Sequence, residues 1–223
     1  MPATLDLSPD ELLTTTRAVR RRLDFDRPVP RELVEECVQI ALQAPSGSNA
    51  RGWHFMVVGD AEKREKIAEL YRQAFEGYRA MPVSAHALAE QASGDDVAVM
   101  KGVVTSAEAL AANLHRAPYI VIPCIEGRMP LIEGPMGNLA NASQYGSILP
   151  AFWSFMLAAR ARGLGTSWTT LHLLHEQEIA KLLGIPFETV MQTALSPLAF
   201  TKGTDFKPAS GRDVASALHV DAW

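Results

Sequence analysis

The sequence predicts an α+β protein in which helices flank a small central sheet. Two observations support this prediction. Segments with apolar residues at helical spacing alternate with only a few strands, so the sheet is small. The 223 residues are 48% hydrophobic, which is enough for a core of ordinary size, and no linker or low-complexity run divides them. We therefore expect one domain spanning residues 1–223.

The first predicted helix begins at a capping signal. Ser8 is suited to cap the helix, Pro9 fits the first helical position, and Glu11 stands where a capping box needs a carboxylate. We expect this helix to run toward Arg22.

Basic residues crowd the end of that predicted helix, at Arg17, Arg20, Arg21 and Arg22. Cations complement the dipole of a helix C-terminus, and runs of charge usually lie on a solvated face. Three consecutive arginines nevertheless point in different directions, and a guanidinium binds phosphate through two parallel hydrogen bonds. This segment alone leaves both roles open.

A loop of small polar residues joins the next two predicted elements. Pro30 opens a helix that extends to about Gln43, and an apolar strand covers Trp53 to Val58. Between them lies Pro45-Ser46-Gly47-Ser48-Asn49, whose glycine permits close approach of a ligand and whose side chains supply donors and acceptors. Ordinary turns use the same residue types, so the loop is either a turn or a ligand-binding segment.

The middle of the chain alternates patterned and unpatterned stretches. Asp60 is expected to cap a charged helix that ends near Ala74. Residues 79–99 lack clean periodicity, so we expect them to form a mobile excursion or lid. Residues 110–115 are expected to form the end of a further helix. The continuous apolar run Tyr119 to Ile125 predicts a strand that is buried on both faces.

The last part of the chain begins with a second expected loop, over residues 126–141. The stretch Ser147 to Ala159 is apolar on nearly every face, which is typical of a central helix or a subunit interface. A β-branched strand over 166–171, a helix over 176–183 and a strand over 190–200 complete the pattern.

Composition narrows the class of protein. The net charge of −4 and the isoelectric point near 5.9 argue against a nucleic-acid-binding surface. Cys37 and Cys124 lie in apolar runs, so we expect buried free thiols in a reducing compartment. The N-terminus lacks a signal-peptide pattern, and the most apolar stretch, near 148–159, is too short to span a bilayer. We expect a soluble cytoplasmic protein without a membrane partner.

A metal site is not expected. His172, His175 and Glu176 suggest one only weakly, and capping or surface roles fit these residues better.

Three motifs follow one another along the chain: Arg20-Arg21-Arg22 before Pro28-Val29-Pro30, Ala44-Pro45-Ser46-Gly47-Ser48-Asn49 before Trp53-His54-Phe55, and Gly163-Leu164-Gly165-Thr166. In order and spacing they resemble the FMN-dependent nitroreductase family, over about residues 15–212. The resemblance implies a nitroreductase-like fold with a mostly antiparallel sheet. It also implies an interlocked homodimer with one FMN in each of two interface pockets.

The resemblance assigns candidate cofactor-binding residues. They are Arg20, Arg21, Arg22, Pro45, Ser46, Gly47, Asn49, Ser147, Thr169, Thr170 and Arg212. The arginine cluster, with Arg17 as an alternative member, would bind the FMN phosphate together with Arg212. The loop would line the ribityl chain and ring, and the two threonines would donate to the N5 and O4 edge of the ring.

The function implied by the resemblance is that of an FMN-dependent NAD(P)H oxidoreductase. Hydride would pass from NADH or NADPH through FMN to a nitroaromatic, a quinone or another small organic acceptor. The protein would supply orientation and electrostatics, without a catalytic acid, base or nucleophile. Two alternatives remain open: a flavin-dependent reductase or dehalogenase of a specific metabolite, and a non-catalytic flavin-binding or storage protein.

Overall fold

The computed structural model describes residues 4–128, 133–209 and 213–223, which contain seven helices and six strands. The helices are α1 (Pro9–Thr15), α2 (Arg31–Ala41), α3 (Ala61–Arg79), α4 (Ala85–Gln91), α5 (Asp96–Asn113), α6 (Gly134–Ala161) and α7 (Glu176–Leu183). The strands are β1 (Leu23–Asp24), β2 (Trp53–Val58), β3 (Tyr119–Glu126), β4 (Leu164–Thr166), β5 (Val190–Gln192) and β6 (Ser196–Thr201). The predicted α+β class is confirmed.

The strands form one antiparallel sheet in the order β1–β6–β3–β2, with β4 paired to β6 and β5 paired to β3. Leu198 of β6 lies opposite Tyr119 of β3 and also opposite Thr166 of β4, so β3 and β4 flank β6. Ala18 bridges Thr166 as well. The chain around Ala18 therefore lies at one edge of the sheet, and β2 lies at the other.

Hydrophobic clusters cover both faces of the sheet. Ile120 and Ile122 of β3 belong to a cluster with α3, α5 and α7, whereas Val121 belongs to a cluster with α2 and α6. Both faces of β3 are thus buried, as its continuous apolar run predicts. Phe152 and Phe155 are fully buried in the second cluster, which accounts for the apolar sequence of that part of α6.

Several predicted elements are confirmed closely. β2 and α7 have the predicted bounds, and α2 begins directly after Pro30. Ser8 and Glu11 form the capping box, and Asp60 accepts a hydrogen bond from the Lys63 amide at 2.9 Å. The helix that Asp60 caps continues to Arg79, beyond the predicted end at residue 74.

The two cysteines are buried free thiols, as expected. Burial raises the pKa of Cys37 to about 11 and that of Cys124 to about 12, so both thiols are protonated at neutral pH.

The first helix ends at Thr15 and does not run toward Arg22, so that prediction is wrong. The hydroxyls of Thr15 and Thr16 donate back to carbonyls four residues earlier. The Val19 amide then donates to the carbonyl of Thr166 at 2.7 Å. Pairing with β4 replaces further helix, and the arginine cluster therefore lies on a turn that leads into β1.

Both segments expected to be loops are largely helical. Residues 79–99 contain α4, which Ser84 caps, and the start of α5. Residues 126–141 contain the first turns of α6, while 129–132 lie outside the described residues.

Two predicted strands are shorter than expected. The strand over 166–171 is β4, which ends at Thr166. The strand over 190–200 is divided into β5 and β6, because the Thr193 amide bonds to Pro123 and Leu195 pairs with Thr169.

One helical span in the described residues, Asp96–Arg116, is long and apolar enough to cross a membrane by length and composition alone. Lys101 and Glu108 lie within this span.

Candidate functional site

A cavity of about 410 Å³ lies between α3, α5 and the segment 168–171. Most of its lining is aromatic or aliphatic, and its polar side chains come from Arg20, Tyr71, Tyr78, Thr169 and Thr170. We call it the Arg20 cavity. It brings together two of the segments that the sequence assigns to a single ligand, the arginine cluster and the pair of threonines.

Arg20 is the one charged residue among the described residues that line this cavity. Its Nη1 donates to the Ser106 hydroxyl at 3.2 Å. Burial lowers the pKa of the Arg20 guanidinium, an effect that the nearby Tyr71 and Tyr78 oppose. Because a guanidinium stays protonated, its partly desolvated charge favours an anionic or electron-rich group in the cavity.

The backbone of Thr169 is occupied by the sheet. Its amide donates to Leu195 at 2.9 Å, and its carbonyl accepts from the Leu195 amide at 2.8 Å. Only the Thr169 hydroxyl faces another side chain, the Tyr71 hydroxyl at 2.9 Å. Burial raises the pKa of Tyr71, so this hydroxyl pair is uncharged. A backbone donor from Thr169, one of the two predicted options, is thus ruled out.

The next two residues do offer backbone donors. The amides of Thr170 and Leu171 have no hydrogen-bond partner in the described part of the chain, and both residues line the Arg20 cavity. They begin the 3₁₀ turn Leu171–His175 that leads into α7, where the first amides of a helical turn have no carbonyl to bind.

The polar loop 45–50 forms the second candidate segment. Its residues Gly47–Asn49 make a 3₁₀ turn, and both Ser48 and Asn49 adopt left-handed backbone conformations, with φ of 52° and 54°. The Gly47 amide donates to the Ser147 hydroxyl of α6 at 3.0 Å, while the Ser46 hydroxyl bonds to the loop's own backbone. Pro45, Gly47, Ser48 and Asn49 are exposed.

The loop and the Arg20 cavity are separate in one chain. The loop leads into β2 at one edge of the sheet, whereas the chain before Arg20 pairs with β4 at the other. Four strand spacings of about 4.8 Å separate these edges, roughly 19 Å in all. Within the chain, the loop and the segment that carries Arg20 therefore lie at opposite edges of the sheet.

The members of the arginine cluster also differ in their surroundings, because Arg20 lines the cavity and Arg22 does not. Arg22 donates to the Lys202 carbonyl at 2.9 Å, forms an ion pair with Asp205 and lies 4.3 Å from the centre of the Phe206 ring. It anchors the C-terminal tail, and binding a phosphate would require it to leave these partners. Arg21 is exposed, and Arg212 lies outside the described residues.

Sequence analysis did not identify several residues of the Arg20 cavity. Tyr71 lies in the predicted charged helix, Tyr78 lies beyond its predicted end near Ala74, and Trp168 lies in a predicted strand. A backbone donor such as the Leu171 amide has no side-chain signal at all. The α3 spacing of seven residues, which places both tyrosines on one face, is the one pattern that could have indicated them.

His172 is fully buried, so the predicted capping or surface role is wrong for this residue. Neither of its ring nitrogens has a hydrogen-bond partner among the described residues, and burial lowers its pKa to about 3. His175 faces Glu178 at 3.4 Å, and Glu176 pairs with Arg128. The described residues contain no cluster of side chains able to hold a metal ion.

Comparison with known proteins identifies the family to which a chain with this fold and these motifs belongs. Residues 13–196 match the model of the nitroreductase family. The chain belongs to the nitroreductase family. The resemblance inferred from the motifs, and the fold that it implies, are therefore confirmed.

Two curated relatives are similar over most of the nitroreductase chain. One is a protein of Methanothermobacter thermautotrophicus named NADH dehydrogenase/NAD(P)H nitroreductase, 28% identical, with 96% of this chain and 86% of the relative covered. The other is chloronitrobenzene nitroreductase of Comamonas testosteroni, 26% identical, with 84% of each chain covered. The structure of iodotyrosine deiodinase bound to FMN and 3-iodo-L-tyrosine has the same fold, with a TM-score of 0.63, 22% identity and coverage of 92% and 94%.

His172→Leu should reduce the sensitivity of folding to acid. The unfolded histidine titrates near 6.5, whereas the folded pKa is about 3, so the unfolded state binds the proton first as pH falls. Between pH 7 and pH 5 the wild type should lose about 2 kcal/mol more of its free energy of unfolding than the variant loses. Urea denaturation at the two pH values measures both losses, and equal losses would contradict the burial of a neutral His172.

Proposed function

We propose that the protein takes hydride from NADH or NADPH and delivers it, through FMN, to a small organic acceptor such as a nitroaromatic or a quinone in the cytoplasm. As a member of the nitroreductase family it is an enzyme, a flavin-dependent oxidoreductase. The observation that carries the proposal is the Arg20 cavity, which combines a partly desolvated cation, two unpaired backbone donors and aromatic walls.

The residues of the Arg20 cavity fit a flavin. When bound, FMN supplies the redox chemistry, because its ring system takes up a hydride and passes it on. The Thr170 and Leu171 amides suit the acceptors at the N5 and O4 edge, and Arg20 suits negative charge on the phosphate or on the reduced ring. Phe75, Tyr78 and Trp168 provide apolar surface that keeps water away from the ring.

A second copy of the chain would complete each site. The loop 45–50 presents exposed polar groups, but it lies at the opposite edge of the sheet from Arg20. The neighbouring face of α6 also exposes large apolar side chains, among them Met136, Leu139 and Trp153. Packing two copies along α6 would cover this face and would bring the loop of one copy to the cavity of the other.

The C-terminal tail supports the same arrangement. Residues 213–223 expose four large apolar side chains, Val214, Leu218, Val220 and Trp223. A groove of about 870 Å³ adjoins β2 and is lined by residues such as Leu42, Phe55 and Ile185. The tail of one copy, laid in the groove of its partner, would bury both apolar surfaces.

The names of the relatives support the choice of acceptor. The Comamonas relative is named for a chlorinated nitroaromatic, and the Methanothermobacter relative for NADH and NAD(P)H. Iodotyrosine deiodinase holds FMN in a similar fold. The aromatic walls of the Arg20 cavity favour a planar ligand.

The purified protein should contain stoichiometric FMN and should be yellow. NADH or NADPH should bleach the flavin absorption without oxygen, and a nitroaromatic or a quinone should restore it. Protein that binds no added FMN would contradict the proposal. Protein whose bound FMN is not bleached by either nucleotide would instead be a flavin-binding or storage protein.

Arg20→Met should weaken FMN binding by about tenfold to 100-fold, because a hydrogen bond to a charged group contributes about 1.5–3 kcal/mol. Arg22→Met is the matched comparison, since Arg22 is committed to Asp205 and the tail. It should lower the melting temperature and weaken FMN binding less than Arg20→Met does. Fluorescence titration measures both.

Comparing the affinities for FMN and for riboflavin, which lacks the phosphate, shows which part of the ligand Arg20 contacts. A loss confined to FMN places Arg20 at the phosphate, and a loss for both ligands places it at the ring. Wild-type affinity of Arg20→Met for both ligands would contradict a role for this residue in the site.

The protein should be a dimer at micromolar concentration, with an interface above about 2,000 Å², as obligate dimers have. A chain that ends at Phe206 should lose both dimer stability and FMN occupancy, because it lacks the apolar end of the tail. Light scattering and flavin absorbance measure the two effects. A monomer of 24.3 kDa that carries full FMN would contradict the shared site.

A further inference from the structure

We infer that Ser147 is a positioning residue that holds the loop 45–50 in its binding conformation through the backbone of Gly47, without touching FMN itself. The inference rests on the proposed function, because it concerns how the loop is held for that ligand. It changes the role of Ser147, which the family resemblance places among the residues that bind FMN.

The hydroxyl of Ser147 makes two hydrogen bonds, both to the backbone. It donates its proton to the Ser143 carbonyl at 2.8 Å, and its oxygen accepts the Gly47 amide at 3.0 Å. Ser147 is only 6% exposed. A hydroxyl has a single proton to donate, so Ser147 has no donor left for a ligand. The link between Ser147 and the loop that the structure shows is the hydrogen bond from the Gly47 amide.

Gly47 is the point at which the loop presses against α6. A Cβ atom added at this residue would lie 3.0 Å from the Ser147 hydroxyl oxygen and 3.4 Å from that of Ser143. A side chain at this position would therefore push the hydroxyl that receives the hydrogen bond by a few tenths of an ångström. The close approach and the hydrogen bond together fix the height of the loop above α6.

The loop needs such a link because its backbone is strained. Ser48 and Asn49, which follow Gly47, are both left-handed, with φ of 52° and 54°. Non-glycine residues seldom adopt this region, and such conformations persist only where the surroundings impose them. The Ser46 hydroxyl closes the loop on itself, at 2.6 Å from the Ala50 carbonyl. Ser147 is the side chain that ties this closed loop to a rigid helix.

The conformation of the loop affects affinity directly. Ser48 and Asn49 are exposed and directly follow Gly47, so the position of Gly47 determines how their polar groups are oriented. If the loop leaves its binding conformation for part of the time, the apparent dissociation constant rises in inverse proportion to the remaining competent fraction. Losing a net hydrogen bond of about 1 kcal/mol corresponds to about a fivefold change.

Ser147→Ala tests the inference, with Ser143→Ala as the matched control one helical turn away. The two measurements are the FMN dissociation constant and the hydrogen-exchange rate of the Gly47 amide in the FMN-free protein. Ser147→Ala should raise both by about fivefold. Ser143→Ala should change neither, because Ser143 contributes its carbonyl and not its hydroxyl. Ser147→Thr, which keeps the hydroxyl, should restore both values.

Two results would overturn the inference. If Ser147→Ala weakens FMN binding while Gly47 exchange stays unchanged, Ser147 acts on the ligand directly. If Ser147→Ala behaves like Ser143→Ala in both measurements, the hydrogen bond does not position the loop. Absence of FMN binding in the wild type would refute the proposed function instead, and Gly47 exchange in the ligand-free chain would still decide whether Ser147 holds the loop.

Discussion

The pairing of β6 between β3 and β4 is the constraint on which the candidate site depends. It fixes Thr166 opposite Leu198 and continues as the pair of Thr169 and Leu195, which delivers the amides of residues 170 and 171 to the cavity. On the other side of β6, β3 carries β2 and the polar loop away from that cavity. A packed sheet is too stiff to bring its two edges together, which is why we propose that a second chain completes the site.

The two best-placed arginines differ because of the core residues beside them. Val19 and Leu23 are 4% and 1% exposed and pack together, which turns the intervening residues outward in different directions. Arg20 reaches the cavity, where burial removes part of its hydration. Arg22 reaches the tail, where Asp205 neutralises it. Proposed cofactor binding and tail anchoring are thus divided between neighbours that look equivalent in the sequence.

Caps and apolar runs in the sequence were enough to predict several helices and strands. The capping box at Ser8, the apolar run of β3 and the bounds of β2 and α7 follow from such signals. Tertiary pairing decided the rest. The Val19 amide bonds to the Thr166 carbonyl and does not continue α1. The hydrogen bonds between Thr169 and Leu195 divide the last predicted strand. The separation of the loop 45–50 from the Arg20 cavity depends on strand order, which no local sequence pattern contains.

The central claim is that each site combines the Arg20 cavity of one chain with the loop of another. Its most direct test co-expresses an Arg20→Met chain with a chain that carries Ser48→Ala and Asn49→Ala. A mixed dimer has one site with both defects and one site with neither. The account predicts that mixed dimers bind FMN with wild-type affinity at one of their two sites, while each variant alone binds it weakly. Mixed dimers that bind FMN no better than either variant alone would show that the site lies within a single chain.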